Sequence, residues 1–211
     1  MKSMKVTRFP QSCLLIEKEN HKIVIDPGMH FLETHDIEEL SGVGAVLYTH
    51  QHPDHYEPKI AEALLKNGAQ IVTNAATATL IGSHQVTVVN DGDRIAADGF
   101  EVAAHELPHC LLPDGSEGPQ NTGYVIDGVF FDPGDGKDID GLQVANMALP
   151  ITGPDISMLD AFNFAEKLGV KVAIPVHYRW MGADVDTYKQ FASHRPFEIR
   201  ILADGESTEI V

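Results

Sequence analysis

Between Thr49 and Tyr56 the chain reads THQHPDHY, which places three of its 11 histidines and one aspartate within a few residues of each other. His50 and His52 flank a single residue at the C-terminal end of the apolar run GVGAVLYTH. In an extended strand residues two apart project to the same side, so both imidazoles can meet one metal ion. Pro53 then changes the direction of the chain, and Asp54 and His55 can face a second position a few ångströms away. One loop can therefore offer donors to two ions. Imidazole and carboxylate donors suit Zn²⁺, and a site of this kind takes three or four of them. Scattered surface histidines would explain one or two of these residues, but not a strand-end cluster that also carries an aspartate.

A dinuclear site needs more donors than this loop supplies. The candidates are His105 and His109 in AAHELPHC, Asp132 and Asp135 in FFDPGDG, and His177 in IPVHY. Each lies at or near the end of an expected strand, where rigid scaffolds commonly present functional groups on loops.

The elements that must position these residues are legible as an alternation. KVTRFPQSCLLIEKENHKIVIDPG reads as a β-meander, with Asn20-His21 at one turn and Pro27-Gly28 closing the KIVID strand. GVGAVLYTH is a buried strand, and YEPKIAEALLKNGA is a helix with Pro58 in its first turn and Gly68 beyond its end. QIVTN, a short helix over AATATLIGS, QVTVVN and FEVAAHEL complete a first half. A second half opens with the hairpin NTGYVIDGVFFDPGD, turned at Asp127-Gly128, where Asp-Gly is a strong two-residue turn signal. It continues through VANMALPI, the helix PDISMLDAFNFAEKLG, the strand VKVAIPVHY, the helix DVDTYKQFAS and the strand FEIRIL. Two sets of strands followed by helices predict two sheets packed face to face with helices on both outer faces, an α/β architecture.

The 211 residues suit one domain, 1–211, able to bury a sizeable core. Fifteen basic against 31 acidic residues give a formal net charge of −16, which opposes extended contact with nucleic acid or an anionic membrane. A small-molecule substrate is the expected partner, and a homo-oligomer is compatible with the composition. No apolar run approaches the ~20 residues that span a bilayer. The basic N-terminus has no apolar stretch before a small-residue cleavage site, so the cytoplasm is the expected compartment. Cys13 and Cys110 are too few for a disulfide framework and read as reduced thiols.

THQHPDH resembles the His-X-His-X-Asp-His signature of the metallo-β-lactamase-fold hydrolases. An early strand ending at Asp26-Pro27-Gly28, His109, Gly134-Asp135 and a late strand-end His177 follow in the same order. The resemblance covers essentially the whole chain and is nearest to the small single-domain branch around the ascorbate-6-phosphate lactonases. It implies a four-layer αββα sandwich with two divalent ions, zinc before manganese or iron, in a cleft at one edge of the sheets. It implies His50, His52 and His109 on the first ion, Asp54, His55 and His177 on the second, and Asp135 between them. His105 and Asp132 remain alternatives to His109 and Asp135. Asp26 would fix the tautomer of a ligand imidazole, although a plain turn aspartate fits the sequence nearly as well.

The implied activity is hydrolysis of a small, anionic ester, lactone or phosphodiester by a hydroxide shared between the ions and oriented by Asp54. Arg179 is a candidate for the anionic group and Tyr178 or Trp180 for the pocket wall, with ordinary loop packing an equal account of all three. His30 and His35 are expected at the pocket rim or surface, and His194 at the surface. Where some related lactonase-like enzymes carry a histidine in the first hairpin, this chain has Phe9-Pro10-Gln11-Ser12. The other reading is a non-hydrolytic metal-binding or iron redox protein of the same fold.

Overall fold

The computed structural model describes residues 3–82, 85–179 and 182–211. The first sheet contains β1 (Met4–Arg8), β2 (Leu14–Lys18), β3 (His21–Ile25), β4 (Ala45–Tyr48), β5 (Gln70–Thr73) and β6 (Val86–Val88). The second contains β7 (Arg94–Ala97), β8 (Phe100–Glu106), β9 (Thr122–Ile126), β10 (Phe130–Asp132), β11 (Asn146–Pro150), β12 (Val172–Val176) and β13 (Glu198–Ile199). A last strand, β14 (Ser207–Ile210), returns to the first sheet beside β1, so the spatial order there is β14-β1-β2-β3-β4-β5-β6. The second sheet runs β13-β12-β11-β10-β9-β8-β7.

The residues explain the layering. Val6, Leu14, Ile16, Ile23 and Ile25 of one sheet meet Phe100, Val102, Tyr124, Ile126 and Phe130 of the other in a core from which water is excluded. The alternate residues face outward and are also apolar: Val24, Val46 and Ile71 pack beneath Ile60 and Leu64 of α1 (Pro58–Lys66). Val125, Phe131 and Met147 pack beneath Phe162 and Phe164 of α3 (Met158–Lys167) and Tyr188 of α4 (Val185–Ala192). Sheets apolar on both faces must be covered on both, and the result is the expected αββα sandwich. Each helix start has a local cause, of which only Pro58 was read from the sequence, and α3 begins at Met158 rather than at Pro154. Pro58 opens α1, Asn74 caps α2 (Ala75–Ile81), and the Ser157 hydroxyl and Asp160 form a reciprocal capping box at α3.

Four local expectations are corrected. The first meander turn is Glu19-Asn20, one residue earlier than expected, because His21 already pairs with Lys18 and Glu19 takes the left-handed turn conformation at φ 58°. The boundary between the sheets falls before β7: β7 pairs with β8 and β8 with β9, so FEVAAHEL belongs to the second sheet. FEIRIL supplies only the two residues of β13. Neither β7 nor β14 was anticipated, since RIAA and STEI carry too little apolar patterning to stand out alone.

Within the first sheet β3, β4 and β5 are parallel, and within the second β10, β11 and β12 are. Each set points its C-terminal ends toward one edge of the sandwich. The two sheets are tied there: Thr122 N–H donates to the Thr49 carbonyl at 3.0 Å, and the Tyr124 hydroxyl donates to the Tyr48 carbonyl at 2.9 Å. No helix among the described residues is long and apolar enough to cross a membrane.

Candidate metal centre

His50, His52, Asp54 and His55 follow β4, His109 follows β8, Asp135 follows β10 and His177 follows β12. The structure brings these residues to the shared edge. They fall into two groups, His50, His52, His109 and Asp135 in one and Asp54, His55 and His177 in the other, and within each the candidate ligand atoms lie no more than 4.8 Å apart.

Hydrogen bonds on the outer nitrogens aim the rings. His55 Nδ1 donates to Asp26 Oδ2 at 2.7 Å, His109 Nδ1 to the Cys110 carbonyl at 2.5 Å, and His177 Nδ1 to the Thr152 carbonyl at 2.9 Å. Thr49 Oγ1 donates to Asp26 Oδ2 at 2.6 Å and so accepts from His50 Nδ1 at 3.0 Å. Four Nδ1 atoms are thus committed to the protein, and each ring turns its Nε2 lone pair inward, the tautomer that metal-binding histidines require. Asp26 is wholly buried and serves both His55 and Thr49. Its geometry supports the tautomer-fixing role over that of a plain turn residue.

The inward atoms crowd together. His50 Nε2 lies 3.1 Å from His52 Nδ1 and 3.3 Å from His109 Nε2. Asp135 places Oδ1 3.2 Å from His55 Nε2, and Oδ2 3.2 Å from His177 Nε2 and 3.3 Å from His109 Nε2. Asp54 Oδ2 lies 3.3 Å from His177 Nε2. His55 Nε2 and Asp135 Oδ1 are buried without a hydrogen-bond partner. Converging donor atoms and orphaned buried polar atoms cost free energy unless a cation satisfies them, so these residues fit bound metal.

The electrostatics agree. Burial alone would lower the pKa of His109, but the hydrogen bond and charge of Asp135 and the Cys110 carbonyl raise it to about 10. For His177, burial again opposes, and the charge and hydrogen bond of Asp135, with help from Asp54, bring it to about 10. His50, fully buried among other imidazoles, is driven well below the ordinary histidine value. The two carboxylates demand positive charge in this space, and either imidazolium protons or metal ions supply it. At neutral pH, below about 10, His109 and His177 of the metal-free protein hold their protons, and a dication must displace them. Zinc uptake is therefore expected to release protons and to strengthen as the pH rises. Calorimetry in buffers of different protonation enthalpy measures this directly, and an uptake heat independent of buffer would contradict it.

Backbone geometry is fitted to the same end. His177 sits at φ 58° and Asp26 at φ 47°, a left-handed conformation that costs an L-residue about 1–2 kcal/mol. Both persist at strand ends where hydrogen bonds hold them: His177 N–H donates to the Gln11 carbonyl at 3.1 Å, and Asp26 N–H to the Leu47 carbonyl at 3.0 Å. Gly28 lies against the metal loop so closely that a Cβ there would stand 2.0 Å from the Asp54 carbonyl oxygen. At Gly134, φ 58°, a Cβ would meet Asn121 Oδ1 at 2.4 Å. That contact matters because Asn121 carries the loop: its Nδ2 donates to the Pro133 carbonyl at 2.9 Å and its Oδ1 accepts from Asp135 N–H at 3.3 Å.

The alternatives separate. His105 stays on β8, partly buried, and belongs to neither group. Asp132 is buried, outside both groups, and accepts from Gly134 N–H at 2.9 Å, so it shapes the turn that presents Asp135. Burial, then the charge of Asp26, pushes its carboxyl up to about 8.

Arg179 is ion-paired with Glu33 at 2.8 Å, and the Tyr178 ring lies under the Arg8 guanidinium at 4.7 Å. Neither lines the cleft beside the metal groups. Trp180 lies outside the described residues. His30 bonds Glu33, His35 bonds Glu39 and Asp204, and His194 is exposed, all away from the cleft lining. Sequence reasoning missed three positioning residues: Thr49, Asn121 and Gln11. Gln11, buried in the first hairpin at φ 61°, donates from Nε2 to Asp54 Oδ2 at 3.0 Å. The one signal for it was its place in that hairpin, where a histidine was noted as missing.

Known proteins show the same arrangement of chain. A model of the β-lactamase superfamily domain matches residues 5–177. A UPF0173 metal-dependent hydrolase of Deinococcus radiodurans is 26% identical over 98% of this chain and 100% of its own. Among solved structures, Igni18, a metallo hydrolase of Ignicoccus hospitalis, superposes with a TM-score of 0.82 at 22% identity, covering 98% of each chain. The metallo-β-lactamase fold protein YhfI of Bacillus subtilis does so at 0.75 and 16%, covering 99% of this chain and 100% of that one. With the domain model spanning both the strand-end loop at His50 and the strand that delivers His177, this chain belongs to the metallo-β-lactamase superfamily.

Proposed function

We propose that this metal-dependent hydrolase acts through two divalent ions on a small ester, lactone or phosphodiester, and that residues 1–211 work as one domain around the core shared by both sheets. The observation that carries the reading is the division of the donors into two adjoining groups, with Asp135 directing one carboxylate oxygen at His55 and the other at His109 and His177. His50, His52 and His109 would hold one ion, Asp54, His55 and His177 the other, and Asp135 would serve both. The imidazole-rich donor set favours zinc, and the two carboxylates also admit manganese or iron.

Divalent ions bound by these residues would lower the pKa of a coordinated water toward neutrality and polarise a carbonyl or phosphoryl oxygen. The protein's own groups prepare that chemistry. Asp26 and Thr49 fix His55 and His50, Gln11 holds one oxygen of Asp54, and Asn121 holds the backbone of Asp135. Their positions are set by buried hydrogen bonds before a substrate arrives, so little reorganisation is left to the reaction. Asp54, partly exposed where the metal loop meets the cleft, is the carboxylate placed to orient the attacking water. Arg179, the candidate for an anionic group of the substrate, is ion-paired with Glu33.

Metal analysis of the reconstituted protein tests the reading, joined to a turnover screen of esters, lactones and phosphodiesters. About two ions per chain and metal-dependent turnover are expected. A protein that never takes up more than one equivalent refutes the dinuclear arrangement, and a fully loaded protein inert toward all three classes refutes the hydrolytic one.

A further inference from the structure

The cleft that opens onto the two metal groups has a volume of about 430 Å³, and its wall differs in character from its floor. The floor is His52, Asp54, His109, Asp135 and His177, and the wall is Pro53, Cys110, Leu111, Leu112, Pro113 and Pro154. No lysine or arginine lines it among the described residues. The two cations nearest in sequence to the ligand positions are both committed elsewhere: Arg179 pairs with Glu33, and Lys137 pairs with Asp155.

The wall is also rigidly held. Leu111 N–H donates to Asp155 Oδ1 at 2.9 Å, Cys110 N–H to the Asp135 carbonyl at 2.9 Å, and Leu112 N–H to the Ser116 carbonyl at 2.9 Å. The ion pair with Lys137 fixes Asp155 in turn. Leu111 is nevertheless 38% exposed, and Pro53, Pro113 and Pro154 are exposed with it. Apolar side chains pinned open to water beside a polar floor mark a binding surface, since a ligand that covers them gains free energy for each square ångström of apolar surface removed from water.

Resting on the hydrolase reading above, we infer that this wall is a subsite for an uncharged apolar group, so that the substrate is an ester or lactone with an aliphatic or aromatic acyl chain rather than an anionic phosphodiester. Its carbonyl lies over the floor and its chain along Leu111, Leu112 and the prolines. Water adds across the acyl carbon–oxygen bond, the acyl carbon keeps the new oxygen, and the departing oxygen takes the proton, giving carboxylic acid and alcohol with no further reactant.

Two series on the zinc-loaded protein test this: binding of alkyl hydroxamates from acetyl to octanoyl by calorimetry, and hydrolysis of nitrophenyl esters of the same chains. Both affinity and kcat/KM are expected to rise roughly three- to fourfold per methylene until the wall is covered. The heat-capacity change of hydroxamate binding should grow more negative along the series, as burial of apolar surface requires. Chains ending in a carboxylate should fall at least about tenfold below neutral chains of equal length, a charged end being costly to place against an apolar wall. Leu111→Arg, at an exposed position, should flatten the neutral series and favour the carboxylate-ended chains. A flat hydroxamate series, or a wild-type preference for the charged chains, overturns the subsite whether or not the esters turn over. A rising hydroxamate series with no ester or lactone hydrolysed sustains the subsite but overturns the ester-or-lactone assignment, and the hydrolytic reading falls with it only if phosphodiesters are also inert.

Discussion

Asp135→Ala is expected to strip the protein of both metals and to lower kcat/KM by about 10³-fold or more, beyond the 10–100-fold typical when only an outer partner of a metal ligand is lost. The carboxylate is almost fully buried, and its two oxygens face imidazoles from both donor groups at 3.2–3.3 Å. On the proposed two-ion arrangement its removal would take a ligand from each ion, and it leaves the histidines facing one another with half of the negative charge gone. His109→Ala should be similarly severe for the group it completes. Asp132→Ala makes the informative contrast, because that residue is as buried and only three positions away. It contributes a hydrogen bond to Gly134 N–H and no atom to either group. Its loss should shift stability by about 1 kcal/mol while the metals stay bound. His105→Ala should likewise leave metal content intact, as a partly buried strand residue that belongs to neither group. Metal content and kcat/KM measured on the four variants decide the matter: an Asp135→Ala protein that kept two ions, or a His105→Ala protein that lost one, would overturn the assignment.

For Asp54→Asn the expected result is a fall in kcat of about 10²–10⁴-fold with KM changed little. Burial by itself would raise the pKa of this carboxyl, but the charge of His55 and the hydrogen bond and charge of His177 hold it below the usual carboxylate range. It is therefore an anion at every working pH. The amide retains the size of the side chain and one oxygen but loses that charge. Gln11 Nε2 also fixes the orientation, since it donates to Asp54 Oδ2. His177 Nε2 addresses the same oxygen at 3.3 Å, so an asparagine that keeps its oxygen there turns its amide hydrogens to the place of Oδ1, and the reverse orientation sets donors against each other. Either choice spoils a group that matters most in the transition state, and such losses fall on kcat. Steady-state kinetics on the best ester or lactone, with metal content measured in parallel, makes the test. A variant that holds its metals and turns over at the wild-type rate would remove Asp54 from the reaction.

The sequence by itself determined what is local. His50, His52, Asp54 and His55 could be read as a two-ion loop because strand alternation and one proline set their directions within a few residues of each other. The Asp127-Gly128 turn and the Pro58 start of α1 were legible for the same reason, each being settled between neighbours in the chain. Order along the chain, together with the family resemblance, also nominated His109, Asp135 and His177 as partners of that loop. The choice of His109 over His105 and of Asp135 over Asp132 was not local.

Tertiary structure brings His109 and Asp135 into the donor groups, through the parallel pairing that directs β10 and β12 toward the same edge as β3 and β4, and through turns at Gly134 and His177 that no short window specifies. It alone revealed Gln11 beside Asp54 across 43 residues of sequence, the pairing of Arg179 with Glu33, and the apolar wall above the donors. It also set the division between the sheets, where β14 closes on β1 from the far end of the chain. These features share a physical cause. They depend on which strand edges and side chains remain available after the core has packed, and distant residues gain their contacts only once that packing has supplied the free energy to hold them together.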